Sequence, residues 1–167
     1  MPETKTDKNL AHAFAELSKA AARRKIYSHK AARDGRPEVA HFLRAMAASD
    51  AVQSRRLFNS LIGRVDKSDD YLATIFEKEV QDILDRYTEL INSSAGERPA
   101  LVNAISQLRA AETRLRSFYS RNSRDVKADK DARYFVCRFC GYLSTGSPPD
   151  KCPICGAAKD AFQEVNR

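Results

Sequence analysis

The first 136 residues of this 167-residue chain contain no cysteine. That excludes a disulfide scaffold, which would spread its cysteines through the chain. No apolar run approaches the roughly 18 residues that a membrane-spanning helix needs. The opening, MPETKTDKNLAHAF, lacks the apolar core of a secretory signal, so a cytoplasmic protein with no membrane partner is expected. Basic charge is not concentrated either. Residues 1–122 hold 21 basic and 16 acidic side chains, and the remainder eight and six. The net charge of +7 therefore forms no basic tail. A solvated, somewhat basic surface is expected rather than nucleic-acid binding, and an acidic redox partner or anionic surface fits as well.

Glycine is also scarce. Residues 1–122 contain only Gly35, Gly63 and Gly96, each after a long stretch of helix formers. Glycine just past a helix end accepts the left-handed conformation, so these stops predict four helices of roughly 24 to 28 residues. Pro37 and Pro99 follow two of the glycines and suit a first helical turn. Asp69 and Asp70 place negative charge near the start of the third helix, and residues 63–70 read as a crossover.

Apolar stripes with the helical period run along each predicted helix. They are Leu10, Phe14, Leu17, Ala21, Arg24, Ser28; Val39, Leu43, Met46, Asp50, Gln53, Leu57; Leu72, Phe76, Glu79, Ile83, Arg86, Leu90; and Leu101, Ile105, Leu108, Glu112, Leu115, Tyr119. Adding 62 to a position in the first pair gives its counterpart in the second: Phe14 with Phe76, Arg24 with Arg86, Pro37 with Pro99, Asp50 with Glu112. A helical hairpin used twice predicts an all-α, antiparallel four-helix bundle over residues 1–122.

Six polar side chains fall on those stripes near the middle of the bundle: Arg24, Asp50, Gln53, Glu79, Arg86 and Glu112. Buried charge must be paired or metal-bound. Di-metal bundles take one Glu from each of two helices and Glu-x-x-His from each of the other two. The matching slots here are Leu17 and Glu79, then Asp50-x-x-Gln53 and Glu112-x-x-Leu115. The pattern is present but depleted, and His12, His29 and His41 lie off the stripe or off the spacing. Arg24 and Arg86 are the expected replacement charges, since arginine pairs bidentately and stays charged when buried.

All four cysteines sit in the tail, as Cys137-x2-Cys140, eleven residues, then Cys152-x2-Cys155. Each pair is followed by glycine, Gly141 and Gly156, in a turn whose N–H groups point at sulfur. Four thiolates in tetrahedral array suit a single iron or Zn²⁺. Tyr134, Phe135, Tyr142 and Phe162 supply an apolar shell for a small domain over residues 134–167. Residues 123–133 hold one large apolar side chain, Val126, and read as a linker or frayed helix end.

The run CRFCGY, the paired prolines, and CPICGA ahead of Lys159 and Phe162 resemble the rubredoxin-like tail of rubrerythrins. The preceding 120 residues resemble their ferritin-like bundle, with Leu10-Ala11-His12-Ala13-Phe14-Ala15 and Arg55-Arg56-Leu57-Phe58 at familiar places. The resemblance implies one iron in the four-cysteine site, passing electrons to a di-iron site that reduces peroxide with NADH as the ultimate donor. It implies a role in oxidative stress and a homodimer in which one subunit's tail lies against the other's bundle. This chain departs from the family at Leu17, Asp50, Gln53 and Leu115, while Glu79 matches and Asp82 stands for the extra Glu one turn later. The expected function is electron transport through the cysteine site with the di-iron centre lost. Two alternatives stay open: peroxide reduction at a residual site of Asp50, Glu79, Asp82 and Glu112, and a zinc-bound structural or interaction module.

Overall fold

A computed structural model describes residues 4–62, 71–72, 74–120, 125–126 and 131–166. The chain divides into two compact units, residues 1–66 and 67–167. The expected crossover at 63–70, including Gly63, Asp69 and Asp70, lies outside the described residues.

The first unit is one helical hairpin, α1 (Lys5–Arg33) against α2 (Pro37–Ile62). Thr4 and Asp7 close a capping box at the start of α1. The Thr4 hydroxyl accepts from the Asp7 N–H at 3.1 Å, and the Asp7 carboxylate accepts from the Thr4 N–H at 2.9 Å. The T-x-x-D signal was legible in the sequence but is absent from the stops and stripes read above. At the other end, the Gly35 N–H donates to Ala32 O and the Arg36 N–H to Ala31 O, with Gly35 at φ +73°. This pair of bonds is the Schellman arrangement that the glycine stop predicts. The first stripe is borne out: Leu10, Phe14, Leu17, Ala21 and Arg24 are half-buried and Ser28 is buried. Phe14 meets Phe58 of α2 with ring centroids 5.1 Å apart.

The second unit begins its described helices with Tyr71–Leu72 and a π-helical segment, Thr74–Glu79, which runs into α3 (Val80–Glu97). Then follows α4 (Pro99–Arg116), packed against α3. Pro37 and Pro99 open α2 and α4, so the 62-residue repeat holds at the hairpin turns. Elsewhere the expectation needs three corrections. Gly96 does not stop a helix; it lies in the last turn of α3, which runs to Glu97 and is capped by Arg98 before Pro99. The fourth helix ends at Arg116, and Tyr119 belongs to a short strand. That strand, β1 (Tyr119–Ser120), pairs antiparallel with β2 (Asp125–Val126), which lies inside the stretch expected to be linker. Finally, the third stripe is displaced. Val80 and Leu84 are buried and Tyr87 and Ile91 half-buried, whereas Glu79, Ile83, Arg86 and Leu90 are exposed. The shift is one residue along the chain. A π-helical turn inserts one extra residue into the i-to-i+4 ladder and so rotates the stripe that follows.

The tail sheet has the order β4-β3-β5, all antiparallel, with β3 (Tyr134–Cys137) between β4 (Leu143–Thr145) and β5 (Phe162–Val165). Alternation along β3 turns Phe135 and Cys137 inward. A short 3₁₀ turn, Lys159–Ala161, leads into β5. Among the described residues no helix is long and apolar enough to cross a membrane.

Gly35 and Gly96 predict opposite signs. At Gly35 a side chain meets no neighbouring atom but must adopt φ +73°, so Gly35→Ala should lower stability by about 1 kcal/mol. Gly96 lies in helix with open space around it, so Gly96→Ala should raise stability by up to about 1 kcal/mol. Urea denaturation of the two variants checks both signs in one experiment.

Candidate metal centre

The four cysteine sulfurs converge. All four Sγ atoms lie within 4.8 Å of one another, with Cys137 to Cys155 at 3.7 Å and Cys140 to Cys152 at 3.5 Å. These gaps are far longer than a disulfide bond of about 2.05 Å. They match the edge of a tetrahedron of sulfurs set about 2.3 Å from a central ion, which is about 3.8 Å. Among the described residues this is the one group of three or more His, Cys, Asp or Glu with such convergence. The donor set and its spacing fit a tetrahedral four-thiolate ion.

Two matching turns build the site. In the first, the Cys137 N–H donates to Tyr142 O at 3.0 Å and the Gly141 N–H to Cys137 O at 2.9 Å. In the second, the Cys152 N–H donates to Ala157 O at 2.7 Å and the Gly156 N–H to Cys152 O at 2.9 Å. Gly141 and Gly156 have φ of +78° and +75°, the left-handed region that lets each turn close directly behind its second cysteine. The Arg138 N–H donates to Ala161 O at 3.0 Å and its guanidinium to Asp160 O at 2.7 Å, tying the first turn to the segment ahead of β5. Across β3 and β5, Arg133 grips Glu164 through two bonds of 2.8 and 2.7 Å and lies over the Phe135 ring.

The thiols do not share one environment. Burial pushes the Cys140 thiol far above the ordinary thiol range, with only partial relief from the Tyr142 N–H. Burial also raises Cys155 against the Ala157 N–H. At Cys137 burial is outweighed by the N–H groups of Cys140 and Phe139 and by the neighbouring sulfurs, so its thiol falls below the ordinary value. Sulfurs this close resist joint ionisation until a cation sits among them, which couples metal binding to proton release. Tyr142 and Phe162 pack against the cysteine cluster as expected, joined by Ile154 and Ala157. Cys155 is only half-buried, and Phe139, which precedes Cys140 in the first turn, is 76% exposed.

The helical positions fare differently. Asp50 is 5% exposed, and its carboxylate accepts a hydrogen bond from the Arg24 guanidinium, joining α2 to α1. Gln53 is exposed and donates to Ser49 Oγ at 3.2 Å, so Ser54, not Gln53, is the buried neighbour of Asp50 on α2. Leu17 is half-buried and brings no donor atom. Arg86 does not repeat Arg24. It is exposed and pairs with Glu89 on its own helix at 2.8 Å, a consequence of the rotated stripe. In the second unit Glu79, Glu112 and Leu115 line one largely apolar cavity of about 350 Å³, together with Phe76, Tyr134 and Leu143. Burial raises the Glu112 carboxyl above the ordinary range. Glu112 and Leu115 also line a second cavity, of about 250 Å³, against Phe139, Cys140 and Gly141. Asp82 is exposed and lines neither.

Residues 135–163 match the family model described as the rubredoxin-like domain of rubrerythrin. Nigerythrin of Nitratidesulfovibrio vulgaris is 29% identical over 85 residues, which cover 50% of this chain and 42% of nigerythrin. Reverse rubrerythrin-1 of Clostridium acetobutylicum is 59% identical over 32 residues, 19% of this chain and 18% of that protein. The chain thus spans less than half the length of these two relatives. Rubrerythrin of Nitratidesulfovibrio vulgaris is 26% identical over 185 aligned positions, covering 96% of this chain and 94% of that one. Among solved structures, nigerythrin in a mixed-valence state matches 99% of this chain and 88% of its own, with a TM-score of 0.52 at 23% identity. Partially reduced nigerythrin gives 0.53. The helical fold with a small cysteine-bearing tail sheet is therefore that of nigerythrin, as the fold class read from the stripes requires. Residues 135–163 are thus a rubredoxin-like domain of the kind found in rubrerythrin, and over its whole length the chain is similar to rubrerythrin and shares the fold of nigerythrin.

Proposed function

We propose that this protein is a one-electron carrier whose four-cysteine site holds a single iron, and that its helical part has lost the di-iron centre. The observation that carries the reading is the convergence of Cys137, Cys140, Cys152 and Cys155 to tetrahedral spacing inside an apolar shell. Iron in such a site supplies a one-electron Fe²⁺/Fe³⁺ couple. The chain's own groups do the rest. The N–H groups of Phe139, Cys140, Tyr142 and Ala157 meet charge on sulfur, which favours the reduced state, where the cluster is more negative. Tyr142, Ile154 and Phe162 keep water from the sulfurs. The half-buried edge at Cys155 is the place where an electron enters or leaves.

Peroxide reduction needs more ligands than the helices offer. Leu17 and Leu115 have no donor atom, Gln53 points away, and Asp50 is committed to Arg24. Glu79 and Glu112 share a cavity in the second unit, and among the described residues no third carboxylate and no histidine lines it.

Protein purified from its own host should be coloured by ferric thiolate, bleach reversibly on reduction, and contain one iron per chain. A colourless protein holding one zinc would overturn the carrier reading in favour of a structural module. Further iron with peroxidase turnover at enzymatic rates would overturn the loss of the di-iron centre. Cys152→Ser should abolish the colour while leaving the helical circular-dichroism signal near its original strength, because the helices contribute no ligand to the site.

A further inference from the structure

We infer that the Arg24 guanidinium is the permanent counter-ion of Asp50 and stands where a metal would be needed, so the first hairpin is built to be metal-free. The inference rests on the reading that the di-iron centre is lost, and it names what replaced the metal in this half. Asp50 is buried to 5% exposure, and an unpaired carboxylate at that depth is strongly unfavourable. Its partner arrives from the other helix, 26 residues earlier in the chain. The other ion pairs described in the first unit are Lys19–Glu16, Lys30–Asp34 and Arg36–Glu38. All three are short-range and lie at the surface. Arg24–Asp50 is the one that staples α1 to α2.

The chemistry of the two groups makes the replacement durable. A guanidinium is more weakly hydrated than an ammonium and its planar fork suits a carboxylate, which favours arginine over lysine beside a buried Asp. A divalent cation brought to Asp50 would meet the guanidinium's like charge at close range. Among the described residues of the first unit, no second ligand stands ready to compensate. The Ser54 hydroxyl donates to Ala51 O, the Gln53 amide to Ser49, and Leu17 is apolar. Within the first unit, no three described His, Cys, Asp or Glu side chains converge. The second half of the repeat lacks the device, since Arg86 is on the surface with Glu89.

A double-mutant cycle on the full-length protein, with its tail metal in place, tests this. The variants are Arg24→Met, which keeps an apolar stem, Asp50→Asn, and the two combined. The folding constants should be coupled by about tenfold or more, the combined variant losing less than the two single losses multiplied together. Mn²⁺, which favours carboxylates over thiolates, should leave the wild-type unfolding midpoint unchanged. Losses that simply multiply would overturn the inference. So would a Mn²⁺-dependent rise in the wild-type midpoint that vanishes in Asp50→Asn. Should Arg24→Met not fold, folding of the combined variant supports the pairing. If neither folds, Arg24→Lys decides, because a fold rescued by charge supports the inference and continued failure refutes it. A zinc-filled tail would defeat the electron-carrier reading and leave this cycle unmoved.

Discussion

Four sulfurs held within 4.8 Å of one another are the constraint on which the tail depends. Such proximity is unfavourable for thiolates alone, and burial adds to the difficulty at Cys140 and Cys155. The backbone answers with N–H groups aimed at sulfur, and a central cation would supply the remaining charge. Everything else in the module follows from holding that geometry. The left-handed glycines close the turns, Arg138 ties the first turn to the segment before β5, and Arg133 with Glu164 joins β3 to β5.

The helical part faces the same electrostatic problem with carboxylates, and the two halves of its repeat solve it differently. In the first hairpin, the buried Asp50 has a guanidinium from the facing helix. In the second, Glu112 sits in a largely apolar cavity where burial raises its carboxyl above the ordinary range. A symmetry of sequence thus coexists with an asymmetry of charge compensation. On the reading proposed here, neither half keeps a set of donors that would hold a pair of irons.

Much of this was legible in the sequence, for identifiable reasons. Gly35, Pro37 and Pro99 act locally, through backbone conformation alone, and the turns came out where they stand. The cysteine spacing likewise encodes a local turn, so the metal centre could be read residue by residue. Arg24 was legible because α1 is a regular helix over its whole length, and periodicity then gives the face. Arg86 and Gln53 were not. The π-helical segment before α3 shifts the stripe by one residue, which an α-helical period cannot anticipate. On α2, Ser54 rather than Gln53 turns inward, a choice set by packing on α1. Tyr119 continued the stripe of α4 in sequence, yet its place in structure is set by tertiary partners. It stacks on Phe76 at 5.0 Å, its hydroxyl donates to Glu77, and its backbone pairs with Val126.

X-ray absorption at the metal edge, on protein purified from its own host, bears most directly on the central claim. The account predicts iron as the sole metal, at one per chain, with four sulfur neighbours at about 2.3 Å and no nitrogen or oxygen shell. Iron carrying oxygen or nitrogen neighbours, at more than one atom per chain, would contradict it by showing that the helices still hold a metal centre. Zinc in the four-sulfur shell would contradict it from the other side, leaving the tail a structural module with no electron to carry.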